Sequence, residues 1–293
     1  MDIIKKLFNM TESALSIIKL NGGYTNNVYK VTLIEKNLTY IVRIYGKNLS
    51  QLINRDNELQ MIKYLNTYSI GPKIISIHND CRVEQFLPGT TLSDAHLADV
   101  PSPVLHQYTL GAYLKHLHMT PLNPIFPLFW TKFYEWKCMT GDIYNGQITD
   151  VISQINNMGD HFWNQNVVGH GDLTLGNILV HDDKIHLIDF EYSCVLPRGF
   201  ELGNHLCEHD GFNYEINVDE HSYPEHNVWI NLLKGYSSNY TEEDIKIIKK
   251  YTLVSHYYWG CWAQIQSQNS EIDFSYEKYS QYRFKLFLKY YDK

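Results

Sequence analysis

One spacing constrains this chain more than any other: His170-Gly171-Asp172-Leu173-Thr174-Leu175-Gly176-Asn177, then, one short hairpin later, Asp189-Phe190-Glu191. It fits H-x-D-x-x-x-x-N followed by D-F-E, with Asp182-Asp183 as the turn of the intervening strand–turn–strand. An aspartate five residues before an asparagine on one tight loop can meet a substrate hydroxyl while the asparagine reaches a metal ion. The aspartate that ends the hairpin then closes the metal site from the other side. Such oxygen ligands suit Mg²⁺. Phosphoryl transfer asks little more of a protein than this positioning and charge neutralisation. Either half alone recurs by chance, and turn carboxylates commonly cap nearby backbone. The two halves in order, at this separation, point to chemistry.

The surrounding pattern supplies a frame for that loop. Ile17–Leu20, Val28–Ile34, Tyr40–Tyr45, Ile74–Ile77 and Cys81–Phe86 read as strands, with helical spacing from Gln51 to Leu65. Past Pro88-Gly89 the pattern turns helical: Val104–His118, Ile148–Trp163, Val228–Tyr236 and Glu242–Gln268, interrupted by the β-like stretch Asn177–Glu191. The expectation is an α+β, bilobal, protein-kinase-like fold. Residues 1–88 would form an N-terminal ATP-binding lobe, and residues 89–293 a mainly helical lobe carrying catalysis and substrate binding. On that template Arg43, on the third strand, faces the phosphates with Glu58 of the following helix as its ion-pair partner. Gly22-Gly23-Tyr24-Thr25-Asn26-Asn27 would be the loop over the phosphates, although it is not a G-x-G-x-x-G and an ordinary hairpin turn would look the same.

Bulk properties narrow the partners. A net charge of −7 in 293 residues argues against nucleic acid or an anionic membrane as the main partner. No stretch approaches the ~18 apolar residues of a membrane span. The first ten residues mix Asp2 with Lys5 and Lys6 and do not read as a signal peptide. Five scattered cysteines without a C-x-x-C pair read as reduced thiols of a cytoplasmic protein.

Several segments together resemble the eukaryotic choline/ethanolamine kinase family: V-V-G-H-G-D-L-T-L-G-N-I-L-V (Val167–Val180), L-I-D-F-E-Y-S (Leu187–Ser193) and R-G-F-E-L-G-N-H-L-C-E (Arg198–Glu208). G-G-Y-T-N-N-V-Y, V-R-I-Y-G, V-E-Q-F-L-P (Val83–Pro88) and S-H-Y-Y-W-G-C-W-A-Q-I-Q (Ser255–Gln266) extend the resemblance from about Leu20 to Phe287. It implies ATP, Mg²⁺ and phosphorylation of choline, or alternatively ethanolamine, as the first step towards the matching phospholipid, in an enzyme that is often a homodimer. Carried over, Asp172 is the base, and Asn177, Asp189 and Glu191 hold metal. Gly23, Tyr24, Thr25, Asn26, Asn27, Arg43 and Thr174 lie at the nucleotide, and Gln85, Phe86 and Leu87 form the inter-lobe hinge that receives adenine. Tyr192, Glu208, Trp259, Trp262, Tyr276 and Tyr279 line the amino-alcohol pocket. A quaternary ammonium has no N–H to donate, so aromatic faces and one carboxylate suit it.

Three departures bear on the substrate. Thr174 stands where the family's choline enzymes commonly carry glutamine. Glu201 replaces a common aspartate, as a catalytic-loop anchor with one more methylene. His209 to Phe212 resembles the ethanolamine branch, while Tyr276 leans towards choline. Choline is the favoured reading. Three competitors are weaker. His205-Leu206-Cys207-Glu208-His209 matches the zinc-peptidase pattern H-x-x-E-H, but it is short and falls inside the kinase resemblance. Aminoglycoside kinases share the core motif yet need acidic rather than aromatic pockets. A choline-binding pseudokinase would show a broken catalytic set, whereas Asp172, Asn177 and Asp189 are all in place.

Overall fold

The computed structural model describes residues 2–20, 26–46, 53–92, 103–208, 214, 217–219, 221–223, 226–270 and 274–292. Helix α1 (Asp2–Phe8) precedes strands β1 (Leu15–Leu20), β2 (Asn26–Leu33) and β3 (Leu38–Tyr45); helix α2 (Arg55–Asn66) then leads to β4 (Ile74–Ile77) and β5 (Cys81–Gln85). The five strands pair antiparallel in the order β1-β2-β3-β5-β4.

Side-chain alternation gives this sheet two very different faces. Val31, Leu33, Val42 and Val83 lie on one, where with Leu15 and Ile4 of α1 they form a small apolar core. The register sets Asn26 opposite Tyr45, and Arg43 opposite Val28 on one side and Arg82 on the other. The second face therefore carries Asn26, Arg43, Tyr45, Arg82 and Glu84, and it looks towards the rest of the molecule. Helix α2, N-capped by Asn54, whose side chain accepts from the Asn57 amide at 3.1 Å, turns its apolar stripe away from this sheet. Met61, Ile62 and Leu65 join the large helical core instead.

The remainder comprises β6 (Thr90–Thr91), α3 (Pro103–His118), α4 (Phe129–Met139), α5 (Asn145–Asn157), β7 (Asn166–Gly169), β8 (Ile178–His181), β9 (Lys184–Leu187), β10 (Cys194–Pro197), α6 (Arg198–Cys207), α7 (His226–Tyr236), α8 (Glu242–Asn269) and α9 (Tyr276–Tyr291). Strands β6-β8-β9 form one small sheet and β7-β10 another. Together they clamp the loop from His170 to Asn177 at both ends. The β8–β9 turn is Asp182-Asp183, both with positive φ (47° and 58°), the two-residue geometry that matches strand twist. Helix α8 runs through the core, started by a capping box between Thr241 and Asp244. Among the described residues no helix is long and apolar enough to cross a membrane.

Two expectations need correction at the helices. The run from Ile148 to Trp163 is not one helix: α5 stops at Asn157, where the Asn164 side-chain amide takes the carbonyls of Ile155 and Gly159, each at 3.0 Å. Helices α1, α4 and α6 were not anticipated as elements. In α6 every residue from Gly199 to Cys207 is buried, and its polar residues Glu201, Asn204 and His205 make hydrogen bonds inside the protein instead of facing solvent.

Candidate active site

Among the described residues, side chains of three residues outside the catalytic loop hold its backbone. Glu201 of α6, fully buried, accepts from the His170 amide at 2.6 Å and the Gly171 amide at 3.1 Å. His205, one helical turn on, places Nδ1 3.0 Å from the Leu173 carbonyl and Nε2 3.0 Å from Gln107. The Ser193 hydroxyl donates to the His170 carbonyl at 3.1 Å. Gly171 has φ +80°, and a Cβ there would stand 2.4 Å from the Tyr192 carbonyl oxygen, so the motif needs glycine at this point. With both ring nitrogens of His205 engaged inside the protein, the H-x-x-E-H pattern belongs to loop support. Its second histidine, His209, lies outside the described residues.

Within the loop, the Asn177 side-chain amide donates to both the Asp172 carbonyl and Asp172 Oδ2, each at 2.9 Å. Burial, then the negative charges of Glu208, Asp189 and Glu191, raises the Asp172 pKa well above the ordinary aspartate value. A carboxyl this reluctant to ionise wants a cation beside it. Asp172 has the carboxylates of Asp189 and Glu191 as electrostatic neighbours together with that of Glu208.

Asp189 sits at φ +67°, a left-handed conformation uncommon outside glycine and asparagine or aspartate. Its Oδ2 accepts from Arg43 Nη1 at 2.9 Å, whereas its buried Oδ1 has no hydrogen-bond partner among the described residues. Arg43 holds the Asp189 carboxyl below its usual range despite burial. Carboxylate oxygens of Glu58, Asp189 and Glu191 all lie within 4.8 Å of one another. An orphaned buried carboxylate oxygen beside two further carboxylates is a donor set that fits a hard divalent cation. Glu58 thus joins Asp189 and Glu191, while the Asn177 amide nitrogen is spent on Asp172.

The expected Arg43–Glu58 ion pair is not formed. Arg82, the direct cross-strand neighbour of Arg43, lies between them and takes Glu58 at 2.6 Å and Glu84 at 2.5 Å. Arg43 instead spans Asp189 at 2.9 Å and Glu84 at 3.8 Å. Asn26 and Asn27 also part company, because consecutive strand residues face opposite ways. Asn26 is buried and donates to Glu191 at 3.0 Å; Asn27 is exposed and its side chain turns away from the site. Gly23, Tyr24 and Thr25 lie outside the described residues. Gln85 ends β5, and Phe86 and Leu87 carry the chain towards β6. Thr174 lies in the loop, its amide bonded to the Asp172 carbonyl at 2.9 Å.

The residues expected to line the amino-alcohol pocket form, with Phe274, a continuous ladder of rings. Centroid separations are 5.2 Å for Tyr192–Trp259, 5.5 Å for Trp259–Trp262 and 5.6 Å for Trp262–Tyr276. Phe274 links Tyr276 (4.8 Å) to Tyr279 (5.8 Å). Polar tips fix the rings: Trp262 Nε1 donates to the Tyr192 hydroxyl at 2.8 Å and Trp259 Nε1 to Asn204 at 2.7 Å. Glu208 is not the lone negative charge anticipated. Arg283, one turn after Tyr279 on α9, donates to Glu208 at 2.6 Å, to the Tyr279 hydroxyl at 3.1 Å and to Ser255 at 3.0 Å. Both members of the Glu208–Arg283 pair are buried. The i, i+4 spacing of Tyr279 and Arg283 was the signal that could have found it.

Comparison with known proteins shows the family and the fold. The family model for choline/ethanolamine kinase matches residues 17–288. A probable choline kinase 3 of Arabidopsis thaliana is 28% identical over 302 residues, covering 94% of this chain and 86% of the relative. A probable ethanolamine kinase of the same plant is 28% identical over 314 residues, with 98% and 83% coverage. Among solved structures, the ethanolamine kinase of Plasmodium vivax superposes with a TM-score of 0.82 at 25% identity, covering 97% of this chain and 85% of that one. The architecture is the bilobal protein-kinase-like α+β fold.

Proposed function

Because this chain belongs to the choline/ethanolamine kinase family, and so phosphorylates the alcohol of choline or ethanolamine with ATP, we propose that choline is its preferred acceptor and phosphocholine its product. The observation that carries the preference is the pairing of Glu208 with Arg283. That pair leaves the ring ladder, rather than a free carboxylate, as the seat for the cation. A trimethylammonium gains about 2 kcal/mol from desolvated aromatic faces. A primary ammonium in the same seat keeps N–H donors that rings leave poorly satisfied.

In this reading Asp172 orients the acceptor hydroxyl and takes its proton during transfer. Its raised pKa falls when the amino-alcohol cation arrives, so substrate binding itself favours the ionised base. Asp189, with Glu58, Glu191 and the side-chain oxygen of Asn177, would hold Mg²⁺, which would supply charge neutralisation for the phosphates. Arg43 reaches the phosphates from β3, and Gln85 to Leu87 receive adenine between a nucleotide lobe (residues 1–88) and a catalytic lobe (residues 89–293). The test compares kcat/KM for choline and ethanolamine with Mg²⁺ and ATP. A higher value for choline is expected; an ethanolamine value at or above it refutes the preference while leaving the family activity intact.

A further inference from the structure

Among the described residues, two guanidinium groups beside the D-F-E carboxylates have no part in the scheme above, those of Arg55 and Arg82. Arg43 meets Asp189, and Arg82 is locked deep in the sheet between Glu58 and Glu84. Arg55, the first residue of α2, behaves differently. Its Nη1 lies 2.8 Å from Glu58 Oε2 and 3.3 Å from Glu191 Oε2, and its Nη2 donates to Asn26 Oδ1 at 2.7 Å. Asn26 in turn donates to the same Glu191 oxygen at 3.0 Å, so Asn26, Arg55 and Glu191 form a closed triangle. The guanidinium also lies 4.9 Å from the centroid of the Tyr45 ring. Its side chain keeps 22% exposure, against 1% for Arg82 and 5% for Arg43.

We propose that Arg55 is a positioning residue for the metal site: a resident cation that holds the Glu58 and Glu191 carboxylates in place and offsets their charge, so that the site takes up its divalent cation together with nucleotide rather than from free solution. The proposal rests on the reading of Asp189 and Glu191 as metal ligands. Three carboxylates whose oxygens lie within 4.8 Å of one another would by themselves repel strongly and draw any divalent ion in reach. Arg43, Arg55 and Arg82 offset three of the four carboxylates here, the fourth being Glu84, which Arg43 and Arg82 share. The set therefore keeps about one net negative charge in place of four, with much less attraction for a free ion than the bare carboxylates would have. The phosphates of a nucleotide complete the ligand set and restore that attraction. Of the three arginines, Arg55 is also the one that ties α2, the start of β2 and the D-F-E carboxylate to each other. The charge balance and the placement of Glu191 thus depend on the same side chain.

The experiment is Mn²⁺ binding, read from the electron paramagnetic resonance signal of free Mn²⁺, with and without a non-hydrolysable ATP analogue. Wild-type protein should bind Mn²⁺ weakly alone and at least tenfold more tightly with the analogue. Arg55→Gln should bind Mn²⁺ without nucleotide about tenfold more tightly than wild type, because one positive charge has left the carboxylates. Arg55→Lys keeps the charge and should stay near wild type. A purely structural role for Arg55 would lower the melting temperature of Arg55→Gln without raising its metal affinity. The inference is overturned if folded Arg55→Gln binds free Mn²⁺ no more tightly than wild type. It is equally overturned, whatever the variant does, if nucleotide-free wild type already binds Mn²⁺ as tightly as the nucleotide-loaded protein. Loss of the metal reading itself looks different: wild type with the analogue would then bind Mn²⁺ no better than an Asp189→Asn, Glu191→Gln double variant.

Discussion

Glu201 offers the sharpest test of how the catalytic loop is held. Its two carboxylate oxygens accept from the amides of His170 and Gly171, and the side chain has no exposure at all. Room for it exists because residue 169 is glycine: a Cβ there would come 2.4 Å from Glu201 Oε2. Behind it, His118 Nε2 stands 3.5 Å from the same oxygen, and His118 Nδ1 is 2.7 Å from the Tyr236 hydroxyl. His118, His170 and the His170 amide pull the Glu201 pKa below its ordinary value although burial pushes it up. Glu201→Ala strands two buried donors at about 1–3 kcal/mol each, or roughly 2–6 kcal/mol together. That is a large share of the roughly 5–15 kcal/mol that holds a typical domain folded.

Glu201→Gln is the more informative variant, because shape is kept and one acceptor becomes a donor facing an N–H. We expect a stability loss of about 1–3 kcal/mol by urea denaturation. The freed Gly171 amide should also let Asp172 shift, with kcat falling by about 100-fold if the displacement nears 1 Å. Glu201→Asp should fall between Gln and wild type, since the carboxylate survives but is drawn back by one methylene. The pH dependence has a definite sign. A lowered folded-state pKa means that the contribution is present in full above the ordinary glutamate value of 4.5 and is lost as pH falls through the lower folded value. A Glu201→Gln protein within 0.5 kcal/mol of wild type (roughly the noise for a surface change) and within threefold in kcat would show that this side chain does not anchor the loop.

Asp172→Asn should abolish turnover yet raise the melting temperature of the ligand-free protein near neutral pH, because the raised Asp172 pKa makes native stability fall as pH rises from the ordinary value of 3.8 towards the folded one; an unchanged or lower melting temperature would contradict the burial argument. The acid limb of kcat/KM should lie at higher pH than that of kcat, since bound amino-alcohol lowers the pKa of the base; coincident limbs in a pH–rate profile would count against it. Arg43→Ala should raise KM for ATP more than KM for the alcohol, and steady-state kinetics with unaltered ATP dependence would show that β3 does not reach the phosphates. Arg283→Met leaves Glu208 buried and unpaired, which should cost about 3–5 kcal/mol in denaturant unfolding, and a loss under 1 kcal/mol would mean that the pair is not desolvated.

What was legible in the sequence was whatever a single segment encodes. The catalytic loop, the D-F-E turn and the five strands are local patterns, and each sits where its spacing placed it. The clustering of the aromatic rings was legible for a related reason: Trp259 and Trp262, like Tyr276 and Tyr279, are helical neighbours, so each pair had to share a face once α8 and α9 formed. Element ends were less legible. Helix α5 is stopped by Asn164, a residue seven beyond its last turn whose side chain folds back on the carbonyls.

The illegible part is the pairing of charges. Arg43 and Glu58 occupy the strand and helix positions expected of them, yet each has another partner, because pairing depends on strand register and not on position along the chain. Register places Arg82 beside Arg43, and a guanidinium there reaches Glu58 first, leaving Arg43 to find Asp189, 146 residues away in sequence. The same holds for Arg283 and Glu208, 75 residues apart. In a buried site an unpaired charge is unstable by several kcal/mol, so the arginines are as necessary as the carboxylates they serve. A motif records the carboxylates alone. Arg55, Arg82 and Arg283 belong to none of the patterns that pointed to phosphoryl transfer, and together they determine which carboxylates remain available to a metal, a phosphate or an ammonium.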